Sequence, residues 1–97
     1  MAVGTIKNPV TGITYVEQSV NVSFTAGTIG TRGYQTQFTA PTGKKLIGAV
    51  VTYLGDSSSC APSLVSSSGT LYLNVYRATS SAVSNVRIDV RYTFVDT

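Results

Sequence analysis

Between Thr70 and Phe94 the chain alternates apolar and polar residues with only one interruption, the short run Ala78–Ala82. A period of two restricts such a segment to half-buried β-strand. Leu71, Leu73 and Val75 share one face of the first half; Val86, Ile88, Val90, Tyr92 and Phe94 share one face of the second. Both sets predict a core. The opposite positions, Tyr72, Asn74 and Tyr76 and then Arg87, Asp89 and Arg91, are polar, aromatic and of mixed charge. What that second set does is the functional question.

The remaining chain reads as strands and turns. "ITYVEQSVNVSFTA" sets Val20, Val22 and Phe24 in register, and "YQTQFTA" sets Tyr34 and Phe38 on one face. "KLIGAVVTYL" is apolar on both faces, with Leu46, Val50 and Leu54 on one and Ile47, Ala49, Val51 and Tyr53 on the other. That pattern predicts a central strand covered twice, with a bulge at Gly48. Gly27, Gly30 and Gly33 mark a turn, and "GDSSSCAPSLVSSSG" is the longest polar loop, with Cys60 a spectator inside it. No segment has the apolar spacing of an amphipathic helix. The expected fold is all-β, a small antiparallel β-sandwich of at least five strands, Greek-key or lectin-like. Residues 1–12, with Gly4, Pro9 and Gly12, form an N-terminal arm open to flexibility or to pairing with a neighbour; residues 13–97 form the single sandwich domain.

Composition excludes several function classes. The chain has 97 residues, of which 11% are charged and 42% hydrophobic, a sparse charge for a small domain with an ordinary solvated surface. Part of the surface is therefore expected to meet another chain. The net charge of +3 comes from scattered Lys and Arg, without the basic stripe that phosphate neutralisation needs, so no nucleic-acid partner is expected. Histidine is absent and Cys60 is the only cysteine. The usual base for a serine or thiol nucleophile is thus missing, and neither a zinc site nor another cofactor site is indicated. The four carboxylates, Glu17, Asp56, Asp89 and Asp96, show no paired spacing, and the glycine loop lacks a following helix or a Gly-Lys-Ser/Thr sequence. The expectation is a non-enzyme with no bound metal. No signal peptide and no apolar run of membrane-spanning length is visible, so no membrane insertion is expected.

The pattern offers two candidate sites. If Thr70–Arg77 and Ser84–Phe94 pair as a hairpin around "ATSSA", then Tyr72, Asn74, Tyr76, Arg87, Asp89 and Arg91 form one continuous face. Such a face fits a subunit interface first, since Tyr and Arg are enriched there; it also fits a sugar platform or a solvated surface. Asp89 between Arg87 and Arg91 reads as a same-face charge pair. The second site is the serine-rich loop, with Asp56, Ser57, Ser58, Ser59, Ser66 and Ser67 as its binding candidates. A calcium ion there would find one carboxylate, Asp56, which reads more simply as a turn residue.

The run from Lys44 to Val95 resembles the C-terminal head domains of bacteriophage tail fibres and related receptor-binding proteins. The resemblance lies in "KLIGAVV" at Lys45–Val51, a Ser/Gly-rich loop at Gly55–Gly69, a "LNVY" strand at Leu73–Tyr76, a short Ser/Ala turn at Thr79–Ala82, and a closing alternating strand at Val86–Phe94. It covers a little over half of the chain and consists of strand rhythm, so no binding residue carries over from it. What it implies is a β-sandwich, some members being similar to the H-type lectin fold, that assembles as a homo-oligomer, a trimer being favoured. It implies a virion location after assembly in the host cytoplasm, and contact with a host-surface glycan or protein. The alternative is a structural virion protein, a capsid decoration or tail component, that binds other virion proteins. No shaft precedes the head here, which fits a head separated from its fibre or a small virion protein with its own reading frame.

Overall fold

The computed structural model describes residues 12–96. Apart from Gly12, the arm expected at residues 1–12 lies outside the described residues. Six strands run in the order β1 (Thr14–Phe24), β2 (Arg32–Thr39), β3 (Lys44–Leu54), β4 (Cys60–Ser67), β5 (Thr70–Arg77) and β6 (Val83–Asp96). They form two three-stranded antiparallel sheets. Sheet A has the order β1-β6-β3 and sheet B the order β2-β5-β4. The all-β sandwich expected from the sequence is the fold observed.

The two sheets close on a common core. β6 contributes Val83, Val86, Ile88, Val90, Tyr92 and Phe94 and β5 contributes Leu71, Leu73 and Val75, with Val22 and Phe24 from β1. Phe38 of β2 stacks on Tyr92 of β6 with ring centroids 4.0 Å apart, so an aromatic pair ties sheet B to sheet A. Burying each such ring contributes about 1.5–3 kcal/mol.

The connections explain the largest departure from expectation. β4 and β5 form a hairpin, whereas each of the other links carries the chain from one sheet to the other. β5 and β6 therefore do not pair: β5 lies between β2 and β4, and β6 between β1 and β3. Their apolar faces look at each other across the core. Alternation alone does not separate these cases, because a hairpin and a sandwich crossing impose the same period on both strands.

Among the described residues β3 is an edge strand, paired with β6 alone, and not the doubly covered central strand its composition suggested. The bulge expected at Gly48 is present as a register shift between Leu46 and Gly48, and a second shift lies between Val51 and Tyr53. Each extra residue reverses the facing of the residues beyond it. As a result Leu46, Ala49, Val51 and Leu54 pack against the core, while Ile47, Val50 and Tyr53 are exposed.

The serine-rich loop is mostly strand. Cys60–Ser67 pairs with β5 along its whole length, and Cys60, far from being a loop spectator, is buried beside the core at the start of β4. Low β-propensity in this stretch is overridden by pairing with β5 and by burial of Cys60 and Leu64. The hairpin turn is only Ser68-Gly69, both at positive φ (51° and 81°), as a two-residue type I′ turn requires.

Of the glycine triplet read as a turn, Gly27 and Gly30 lie in the β1–β2 connection and Gly33 lies inside β2 at its bulge; Gly27 and Gly33 are needed for space. A Cβ on Gly27 would lie 2.6 Å from Arg77 Nε, and one on Gly33 would lie 2.6 Å from the Phe24 ring. Arg77 fills the space beside Gly27: its Nη1 donates to Thr31 Oγ1 at 2.7 Å and to the Arg32 carbonyl at 3.1 Å, and its Nε donates to the Thr25 carbonyl at 3.3 Å. The guanidinium also sits 5.2 Å from the centre of the Phe24 ring. One side chain thereby holds the β1–β2 connection against the end of β5.

Candidate functional site

The six-residue face anticipated from the sequence is divided between the two outer surfaces of the sandwich. Once β5 and β6 turn their apolar sets toward one core, their polar sets must point apart. Tyr72, Asn74 and Tyr76 lie on the outside of sheet B; Arg87, Asp89 and Arg91 lie on the outside of sheet A.

On sheet B, β5 is central, so its outward residues have neighbours on both sides. Asn74 lies opposite Gln35 on β2 and Ser63 on β4, and Tyr72 lies opposite Gln37 and Val65. Gln35 Nε2 donates to Asn74 Oδ1 at 2.8 Å, and Asn74 is buried although it faces outward. Tyr72 and Tyr76 stand two residues to either side of it. A shallow hollow of about 410 Å³ is lined by Gln35, Thr36, Gln37 and Tyr72. The face is built from amides, hydroxyls and aromatic rings with exposed Val65 beside Tyr72, and its charge is confined to Arg32, opposite Tyr76 at one end. Gln35 and Gln37 were absent from the sequence-derived site, although their alternation with Tyr34, Thr36 and Phe38 already placed them on the polar side of a strand.

Sheet A presents different chemistry. Arg87 Nε lies 3.4 Å from Asp89 Oδ1, the same-face ion pair expected from the sequence. Ser19 Oγ donates to the same carboxylate oxygen. The Arg87 guanidinium sits 4.3 Å from the centre of the Tyr53 ring and that of Arg91 sits 5.6 Å from the Tyr15 ring; such stacking holds a cation over an aromatic face. Around these pairs Tyr15, Ile47, Val50 and Tyr53 are exposed by 62, 54, 46 and 46%, a concentration of apolar surface of the kind that marks contact sites. The signal for Ile47 and Tyr53 was their apolar character on a second strand face; only the bulges revealed that this face is uncovered.

The serine-rich site is also divided. Asp56, Ser57, Ser58 and Ser59 form the turn after β3, whereas Ser66 and Ser67 lie at the far end of β4, a strand length of about 20 Å away. Asp56 acts as the turn residue: its Oδ1 accepts from the Ser58 N–H at 2.9 Å and from the Ser58 hydroxyl at 2.6 Å. Those contacts, the Ser58 hydroxyl first and then Ser59, hold its carboxyl below the usual aspartate range. Ser59 is buried, so it is withdrawn from any surface role. Among the described residues no three potential metal ligands of the His, Cys, Asp and Glu types gather in one place.

No protein family, curated protein or solved structure matches this chain.

Proposed function

We propose that this chain is a non-enzymatic recognition module of a phage virion, displayed on a tail or fibre tip as a homo-oligomer, and that it contacts a host-surface receptor through the outer face of sheet B. A neutral glycan is the receptor chemistry this face suits best. The observation that carries the reading is the uncharged Gln35–Asn74 pair set between Tyr72 and Tyr76. Aromatic rings stack on the apolar face of a sugar, and planar amides exchange hydrogen bonds with its hydroxyls without the desolvation cost of a charge. Weak single sites become effective when an oligomer presents several of them to one surface.

The test is binding of the chain to an array of neutral oligosaccharides and host-cell surface polysaccharide. Tyr72→Ala and Gln35→Ala are expected to abolish binding, and Arg91→Ala, on the opposite outer face, to leave it intact. Binding that survives both sheet B substitutions and disappears with Arg91→Ala would move the receptor site to sheet A.

The second reading, a structural virion component that binds other virion subunits, is favoured by the exposed apolar residues around Arg87 and Arg91 on sheet A. Interface cores are enriched in Tyr and Arg. Retention of the chain by purified virion proteins, with no glycan bound, is the result that would select it.

A further inference from the structure

Among the described residues the two three-stranded sheets have four edge strands, and an edge with free N–H and C=O groups recruits another strand unless something prevents it. Each of these edges carries some obstacle. β4 contains Pro62, β2 carries Arg32 and a bulge at Gly33, and β1 carries Glu17. β3 begins with Lys44 and Lys45 and has two bulges, but its run from Leu46 to Leu54, without charge or proline, is the longest such run on the four edges, and it exposes Ile47, Val50 and Tyr53. Beside it the sandwich is open, with a hollow of about 150 Å³ bounded by Leu46, Ala49, Ser66 and Leu71 among others.

We propose that β3 is the contact between two copies of this chain, paired antiparallel about a twofold axis at Val50, so that two copies of sheet A become one six-stranded sheet. The strand is complementary to itself in that register. Val50 meets Val50 of the second copy, Ile47 meets Tyr53, Ala49 meets Val51, Leu46 meets Leu54, and Lys44 meets Asp56. The facing agrees at each apolar pair: Ile47, Val50 and Tyr53 point outward, whereas Leu46, Ala49, Val51 and Leu54 point to the core. A slip of one residue would set outward Ile47 against inward Leu54, which pleating does not allow. A slip of two would set outward Ile47 against inward Val51, or inward Ala49 against outward Tyr53, and would remove Asp56 from Lys44.

Two further observations support the same axis. The bulges lie at Leu46–Gly48 and Val51–Tyr53, on either side of the strand centre, so a twofold copy brings its bends to the same two regions, offset by one residue. At the strand end the Gly55 N–H still donates to the Arg87 carbonyl at 2.9 Å, which keeps Asp56 close to the line of β3. Lys44 already pairs with Asp96 in its own chain, and Asp56 takes the Ser58 contacts on Oδ1 alone. In the dimer Lys44 is shared between two carboxylates, once at each end of the joined strands. This contact is independent of the receptor reading and leaves the outer face of sheet B uncovered.

Light scattering coupled to size exclusion, run on the full chain from micromolar to near-millimolar concentration, gives the first test; the expected mass is a dimer that dissociates on dilution. Val50→Lys, which sets two ammonium groups together at the axis, is expected to weaken association by at least about tenfold while the circular-dichroism melt stays unchanged. Val50→Cys supplies a second readout. Directly opposed positions in an antiparallel pair bring Cα atoms to about 4.5–5.5 Å, within reach of a disulfide. A mild oxidant should therefore cross-link Val50→Cys into dimers, while the parent chain, with Cys60 buried, stays monomeric on a denaturing gel. A monomer at every concentration, a trimer, or a dimer that survives Val50→Lys and dissociates with Tyr15→Ala would overturn the proposal. Loss of the dimer with glycan binding retained would separate this contact from the receptor site.

Discussion

Phe38 and Tyr92 stack across the core with their ring planes 9° apart, one from an edge strand of sheet B and the other from the central strand of sheet A. Phe94 meets the same Phe38 ring at 5.4 Å. Phe38 thus brings β2, hydrogen-bonded to β5, into stacking contact with the opposite sheet. Phe38→Ala is expected to cost about 3 kcal/mol, read as a lower urea midpoint with the slope of the transition unchanged.

Tyr92 carries a polar tip into that core, where its hydroxyl donates to Gln18 Oε1 at 2.9 Å. Tyr92→Phe keeps the ring and leaves Gln18 without that donor, a loss of about 1 kcal/mol. Burial, and then the neighbouring Tyr34, raise the Tyr92 pKa above the ordinary tyrosine value. The unfolded chain then releases this proton first as pH rises. The stability due to the shift is complete below about pH 10, the unfolded value, and is lost as pH climbs toward the folded one. Unfolding free energy measured on either side of that pH should fall less steeply in Tyr92→Phe than in the parent chain. Equal slopes would contradict the assigned burial of the hydroxyl.

Arg77 joins three backbone and side-chain oxygens to the face of Phe24. Arg77→Lys retains the charge and loses the fork that reaches those oxygens together. The expected cost is about 1–3 kcal/mol, with hydrogen exchange accelerating first in residues 25–32. Gly27→Ala should produce the same local exchange pattern, because its Cβ would displace the guanidinium.

Ser68 pays a backbone cost that asparagine would reduce, being a non-glycine residue at φ 51° in the β4–β5 turn. Asn-Gly is the preferred pair for a type I′ turn. Ser68→Asn is expected to raise stability by about 0.5 kcal/mol, and Gly69→Ala to lower it by about 1 kcal/mol or more; thermal melts of the two variants should move in opposite directions.

The strands that declared themselves in the sequence are those with a uniform period. β1, β2, β5 and β6 were each legible with their inward residues, because alternation on a half-buried strand is a direct record of burial. β4 was hidden, since Ser63, Ser66, Ser67 and Pro62 carry little local strand preference and its pairing with β5 supplies what they lack. β3 is legible as a strand but not in its facing, because two bulges change the parity of residues that a regular alternation assigns to fixed sides.

The candidate site shows the same division. Composition and alternation by themselves determined that the chain is all-β, that Leu71 to Val75 and Val86 to Phe94 enter a core, and that Tyr72, Asn74, Tyr76, Arg87, Asp89 and Arg91 stay outside it. Whether those six residues share a surface was decided only by the tertiary structure. The short link from Arg77 to Val83 carries the chain across the core instead of beside itself. The physical reason is that a strand's own pattern records which side is buried, while the identity of its neighbour depends on pairing with residues far away in the chain. Gln35 reaches Asn74, and Tyr53 reaches Arg87, only through such pairing.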